Sequence, residues 1–121
     1  MAKILVADDE ADLEMLIKQK FRKQIRENHY EFIFAVNGRD ALEKLELHKD
    51  IDMLLSDINM PGMTGLELLK TIKSEYKELR VMMITAYGDE KNYKSAISIG
   101  ADDFMTKPVD FNSLKNKVFK Q

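Results

Sequence analysis

The chain has 121 residues, 45% of them apolar and 33% charged, which suits one packed core under a solvated surface and leaves no room for a second domain. A formal net charge of −2 argues against direct nucleic-acid binding, which draws on a basic surplus, and the absence of cysteine removes disulfides, thiolate zinc sites and cysteine nucleophiles. No apolar run approaches the roughly 20 residues of a membrane helix, and the run Ile4–Ala7 is too short for a secretory leader, so a cytoplasmic protein without a membrane partner is expected.

In chain order, Ile4–Ala7 is a continuous apolar run of the kind found in strands buried on both faces, and it passes directly into Asp8-Asp9-Glu10. Leu13, Leu16, Ile17, Phe21 and Ile25 then recur at helical spacing and predict one first helix, with Lys18, Arg22 and Arg26 on its polar side. Phe32–Val36 predicts the second strand. Asn37 follows as the cap of a second helix marked by Ala41, Leu42 and Leu45. Met53–Leu55 predicts the third strand, with Asp57 at its close. Met60-Pro61-Gly62 has the proline-glycine order of a type II turn, and Thr64-Gly65-Leu66-Glu67 reads as a capping box before Leu66, Leu69 and Ile72 of a third helix. Val81–Ile84 predicts the fourth strand, followed by Thr85, and Tyr93, Ala96 and Ile97 mark a fourth helix that Gly100 ends. A short fifth strand at Phe104–Met105 leads to Lys107-Pro108, and Asp110 caps a fifth helix through Phe111, Leu114 and Val118.

Five strand–helix units in a row predict an α/β fold over residues 1–121, with a five-stranded parallel sheet, right-handed crossovers and five flanking helices. Asp8, Asp9, Asp57, Thr85 and Lys107 would all stand at the carboxyl edge of such a sheet, where open α/β folds bind ligands. Three carboxylates in one crevice raise one another's pKa unless cations compensate, and Lys107 supplies a single charge. A hard divalent cation such as Mg²⁺, which takes a few oxygen ligands and keeps several waters, would balance them. A carboxylate nucleophile ringed by a metal, an ammonium and a hydroxyl holds the parts phosphoryl transfer requires, because that transition state is stabilised mainly by electrostatics. Each residue also has an ordinary reading: Asp8-Asp9 as a helix cap, Asp57 as a turn residue before Pro61, Thr85 as a strand residue, Phe104 as core and Lys107 as surface. His29 and His48 are expected at the surface, and Met60 and Met63 as loop packing.

Four segments, in order, carry a resemblance. Val6-Ala7-Asp8-Asp9-Glu10, then Leu54-Leu55-Ser56-Asp57-Ile58-Asn59-Met60-Pro61-Gly62-Met63-Thr64-Gly65, then Ile84-Thr85-Ala86, then Gly100-Ala101-Asp102-Asp103-Phe104-Met105-Thr106-Lys107-Pro108 together resemble the receiver domain of bacterial two-component response regulators. The likeness is collinear and spans essentially the whole chain. It implies a flavodoxin-like, doubly wound sheet in the order 2-1-3-4-5. It further implies Asp57 as phosphoacceptor, and Asp9, Asp57 and the backbone carbonyl of Asn59 as Mg²⁺ ligands, with Asp8 acting through a bound water and Mn²⁺ as a substitute metal. Thr85, the backbone N–H groups of Asn59 and Ala86, and Lys107 would meet the phosphoryl oxygens. Phe104 matches the aromatic whose rotamer changes on switching, without the hydroxyl of the tyrosine common there. Asn59 and Tyr87 stand where the family tunes dephosphorylation, and a cis Lys107–Pro108 bond is expected.

The implied partners are a sensor histidine kinase or phosphotransfer protein docking near the first helix, and a downstream effector or output domain. The latter, or a second copy in a phosphorylation-dependent dimer, would read the face built from the fourth helix, fifth strand and fifth helix. Such a protein is a signalling phosphoacceptor rather than an enzyme acting on a separate substrate. A phosphate-independent docking module is the chief alternative, against which the full set of acidic and basic residues weighs. A flavodoxin-like carrier is disfavoured by the acids of the first loop, which repel phosphate where such a fold would cradle it. A haloacid-dehalogenase-type phosphatase would need Asp-x-Asp after the first strand, where this chain has Asp8-Asp9.

Overall fold

The apolar runs form five strands: β1 (Ala2–Ala7), β2 (Tyr30–Ala35), β3 (Met53–Asp57), β4 (Arg80–Thr85) and β5 (Asp103–Thr106). All pair in parallel, in the order β2-β1-β3-β4-β5. The computed structural model describes residues 2–86 and 88–119, apart from the side chains of residues 118 and 119; Tyr87 and the expected apolar position at Val118 therefore lie outside the described residues. The helices are α1 (Ala11–Lys20), α2 (Arg22–Arg26), α3 (Gly38–Leu47), α4 (Gly65–Glu75), α5 (Glu90–Ile99) and α6 (Phe111–Phe119).

Successive strand residues point to opposite faces, so each central strand feeds two cores. Leu5, Ala7, Leu54, Val81 and Met83 face Ala41 and Leu45 of α3, Leu68, Leu69 and Ile72 of α4, and Ala96 of α5. Ile4, Val6, Met53, Leu55, Met82 and Ile84 face Leu13 and Ile17 of α1, Phe21, and Leu114 of α6. That double coverage explains why the sequence shows unbroken apolar runs instead of alternation.

The capping signals fold as read. Asn37 accepts from the Asp40 N–H at 2.7 Å, and Thr64 and Glu67 complete a reciprocal box, with the Glu67 N–H 3.2 Å from the Thr64 hydroxyl and the Thr64 N–H 3.1 Å from the Glu67 carboxylate. Asp110 accepts from the N–H groups of Asn112 and Ser113 at 3.0 and 3.3 Å. Gly62 and Gly100 have φ of +75° and +114°, as a type II turn and a left-handed helix end require. The Lys107–Pro108 bond is cis.

Each of the other strands runs one or two residues beyond its apolar run, and two larger differences from the sequence reading concern the first helix and the second strand. The single first helix is interrupted at Phe21, whose φ of −103° and ψ of 17° leave the helical region, so among the described residues six helical segments replace five. The Phe21 ring is wholly buried, edge-on to Tyr30 (centroids 5.9 Å apart) and Phe32 (5.1 Å), and this seat in the core accompanies the break. The second strand begins earlier, at Tyr30, and ends at Ala35, which leaves Val36 exposed.

Asp102 and Asp103, part of the last motif, are structural. The Asp102 carboxylate accepts from the Val81 N–H and from Lys73 Nζ, both at 2.8 Å, and so ties the start of β5 to β4 and α4. Asp103 pairs with Lys117 at 2.8 Å and Arg80 at 3.6 Å, linking β5 to α6 and β4.

Candidate functional site

The sheet order decides what meets. β1, β3, β4 and β5 are consecutive neighbours, so the residues that follow them line one edge although they are far apart in sequence. Among the described residues, Asp8, Asp9 and Asp57 form a group whose nearest carboxylate oxygens all lie within 4.8 Å of one another. Asp57, the last residue of β3, is only 3% exposed; Asp8 is half-buried and Asp9 exposed. The cluster thus runs from the floor of the crevice to its mouth.

Lys107, just past β5, places Nζ 2.6 Å from Asp57 Oδ2. Its backbone N–H donates to the Thr85 carbonyl at 2.8 Å, which holds the residue against β4. The other carboxylate oxygen of Asp57 accepts from the Asn59 N–H at 3.1 Å. Both oxygens of the buried carboxylate are therefore held, one by an ammonium and one by the loop that follows the strand.

The electrostatics follow from this crowding. Burial pushes the Asp8 carboxyl up; the Glu10 N–H, which donates to Asp8 Oδ1 at 2.8 Å, and Lys107 pull it down, while the charges of Asp57 and Asp9 raise it, and the net direction is upward. Burial would lower the Lys107 ammonium. The bond to Asp57 and the charges of Asp57, Asp8 and Glu10 outweigh that, so its pKa is raised and it stays protonated. The donor set is all oxygen, on three residues, with one ammonium against three carboxylates. It fits a hard divalent cation, held by Asp8, Asp9 and Asp57, better than any soft metal.

Thr85 is at the end of β4 and 2% exposed, with its hydroxyl 3.4 Å from the Met105 carbonyl, a long contact that leaves it weakly committed. Ala86 follows it, exposed at the rim. Phe104 lies one layer away, where its ring meets Tyr93 of α5 with centroids 4.6 Å apart and planes tilted by 59°. Thr85, Tyr93, Phe104, Met105 and Pro108 share the walls of a groove of about 340 Å³. The structure thus brings Asp8, Asp9, Asp57, Asn59 and Lys107 together at one rim, and places Thr85 between that rim and the Phe104 groove.

Two features escaped the sequence reading. In the sequence Tyr93 marks only a helix face, and its ring contact with Phe104 depends on how α5 lies on β5. In the sequence Gly65 is only part of a capping box. A Cβ built on it would stand 2.2 Å from the Asp57 carbonyl oxygen and 2.6 Å from Ile58 Cα, and its N–H donates to the Ile58 carbonyl at 2.7 Å. The first turn of α4 therefore packs against the backbone that presents Asp57. The only hint in the sequence is that glycine replaces a better helix former at the first helical position.

Comparison with known proteins agrees with this geometry. The family described as "Response regulator receiver domain" matches residues 4–119. The chain is 33% identical over 118 residues to the chemotaxis protein CheY1 of Helicobacter pylori, covering 96% of this chain and 93% of that protein. It is 32% identical over 118 residues to sporulation initiation phosphotransferase F of Bacillus subtilis, covering 98% and 91%. Among solved structures, the response regulator protein TrrA from Thermotoga maritima, in complex with Mg(2+)-BeF, superposes with a TM-score of 0.82 at 35% identity, covering 99% of this chain and 98% of that one.

Proposed function

This chain belongs to the response regulator receiver domain family, and on that premise we propose that it takes a phosphoryl group onto Asp57 in a reaction that needs a divalent cation. Receiver domains are signalling phosphoacceptors of two-component systems, and aspartate phosphorylation and Mg²⁺ binding are typical of them. The observation that carries the reading is the meeting of Asp8, Asp9 and Asp57 within 4.8 Å, with Lys107 2.6 Å from Asp57.

In this reading a carboxylate oxygen of Asp57 attacks phosphorus in line with the leaving group, forming a P–O bond as the P–N bond of a kinase phosphohistidine breaks. Asp8, Asp9, Asp57 and the backbone carbonyl of Asn59 would hold Mg²⁺, or Mn²⁺ in its place. When bound, the cation neutralises charge on the acids and on the incoming phosphoryl oxygens. Lys107 is already at the acceptor and transfers its ammonium from carboxylate to phosphoryl oxygen without leaving the rim. Thr85 turns its hydroxyl, weakly held by Met105, toward the new oxygens, assisted by the Asn59 and Ala86 N–H groups. That movement frees volume on the Phe104 side. Phe104 then leaves Tyr93 and changes the face of α5, β5 and α6, a local charge event read out through packing. Asn59 and Tyr87 tune the return by hydrolysis.

Receiver domains interact with histidine kinases and output domains. Here the donor is a sensor histidine kinase or a phosphotransfer protein in the cytoplasm, and the α5–β5–α6 face meets an effector, an output domain or a phosphorylated second copy. Residues 1–121 form one such domain.

The test is incorporation of phosphate from a small phosphodonor with Mg²⁺. The wild-type chain gains one hydroxylamine-sensitive phosphate, and Asp57→Asn and metal chelation each abolish it. Undiminished labelling of folded Asp57→Asn would move the acceptor elsewhere.

A further inference from the structure

β2 is the outermost strand on one side of the sheet and, among the described residues, pairs with β1 alone. The Ala2 N–H donates to the His29 carbonyl and the Asp8 N–H to the Ala35 carbonyl, both at 3.0 Å. Backbone groups alternate in direction along a strand, so residues 29, 31, 33 and 35 face β1. The N–H and C=O groups of Phe32 and Phe34 therefore point away from the sheet. Edge strands are ordinarily blunted by lysine, proline or a bulge. β2 carries none of these: its six residues pair with β1 without interruption, and its one charge, Glu31, faces Lys3 Nζ at 3.9 Å. Beside the open edge runs a groove of about 500 Å³, walled by half-buried Ile25, Phe32 and Phe34 and by exposed Lys18, Arg22 and Arg26. The Phe32 and Phe34 rings stack with centroids 6.3 Å apart, and Lys18 lies over the Phe34 ring at 5.3 Å. Lys18 is paired with Glu14 at 2.9 Å, whereas Arg22 and Arg26 make no ion pair among the described residues.

We infer that the β2 edge takes up an acidic, extended segment of a partner protein as a sixth strand, with acids at alternate positions over Arg22 and Arg26. An added strand supplies hydrogen-bond partners to the outward groups of Phe32 and Phe34, and every second side chain of it projects over the groove. The helix α2 sets the spacing. Arg22 and Arg26, one turn apart, are separated by roughly 6 Å along the axis, and alternate residues of a strand by roughly 6.6 Å. Two carboxylates with one residue between them therefore match the two guanidinium groups. The intervening residue turns to the other face of the sheet, beside Ile33. Charge favours this occupant over a second copy. Antiparallel pairing of β2 with its own counterpart, about a two-fold axis normal to the sheet, puts the arginines of both copies on one face, where they repel. The whole chain carries a net charge of −2, so this basic margin is a local feature. Met15 and Leu16 are not among its walls, and neither Asp57 nor the α5–β5–α6 face takes part. Strand addition is thus independent of the chemistry at Asp57.

Amide NMR on the isotope-labelled full chain tests it, with an end-capped peptide of alternating glutamate and valine added to about 1 mM at low salt. Shifts are expected at the amides of Phe32 and Phe34 and at the Nε–H groups of Arg22 and Arg26. The two phenylalanine amides should also exchange with solvent about tenfold more slowly, since each gains a partner and a Kd of about 100 μM leaves roughly a tenth of the edge open. A peptide of alternating lysine and valine should bind about tenfold more weakly. The variant Arg22→Glu/Arg26→Glu should reverse that preference, binding the lysine peptide and losing the glutamate one. Both positions are exposed, and circular dichroism checks that the variant is folded. The proposal is overturned by a glutamate peptide that leaves Phe32 and Phe34 unshifted, or that shifts them without slowing their exchange. A folded double variant with the wild-type preference overturns it too. So does a free chain whose Phe32 and Phe34 amides shift with its own concentration, which would assign the edge to a second copy.

Discussion

At single residues, the site depends on close approach as much as on charge. Gly65→Ala replaces a poor helix former with the best one, a gain that is smaller at the first helical position than the ~1 kcal/mol of a helix interior. The added Cβ would stand 2.2 Å from a backbone oxygen, which has no flexible side chain to yield, so the clash dominates. The variant is expected to lose about 3 kcal/mol in urea unfolding and to label more slowly from a small phosphodonor, because relief requires moving the Asp57 carbonyl. An unchanged unfolding midpoint would show that the segment relaxes freely. The residues of the crevice were legible in the sequence because each signal is local: Asp8, Asp57 and Thr85 are polar groups at the end of apolar strands. Gly65 was not, because its role lies in a contact between two segments that only the folded chain brings together. Tyr93 was illegible for the same reason.

At the level of elements, strand and helix types were readable, since five apolar runs and five periodic segments each report a burial pattern. The break at Phe21 was hidden. Its apolar side chain fits the helical period, and only the aromatic cluster with Tyr30 and Phe32 shows why the backbone departs there. β5 has its own anchor. Burial pushes the Asp103 carboxyl up, but the bond from Lys117, the Phe104 N–H and the charges of Lys117 and Arg80 pull it further down, so its pKa is lowered in the folded state. A lowered carboxyl pKa favours the ionised, folded form. The stabilisation is fully present above the unfolded value of about 4 and fades as pH falls through the lower folded value. Asp103→Asn should therefore cost roughly 0.5–1 kcal/mol at pH 7 and flatten the acid limb of a stability–pH curve. An acid limb identical to wild type would remove Asp103 from that role.

Over the whole molecule, the acid cluster sets function against stability. Three carboxylates are held together before any cation arrives, and the Asp8 pKa is raised, chiefly by burial and further by the charges of Asp57 and Asp9. Asp8→Asn removes one of the repelling charges, so the metal-free chain should gain on the order of 1 kcal/mol at pH 7. Millimolar Mg²⁺ should raise the melting temperature of the wild type by binding the folded state, and raise that of Asp8→Asn much less. Equal metal-induced shifts in both proteins would place the cation away from Asp8.

The strand order has a final consequence for lifetime. The ammonium of the crevice follows β5, the four-residue edge strand, whereas the buried carboxylate it meets ends β3 at the centre of the sheet. Edges of a fold open locally at lower free energy than its middle. Hydrogen exchange should find the Lys107 amide, bonded to the Thr85 carbonyl, exchanging faster than the amide of Leu55. Lys107 and Asp57 would then part many times for each global unfolding, so fraying at one margin of the sheet, and not the resilience of its middle, governs how long the crevice stays intact.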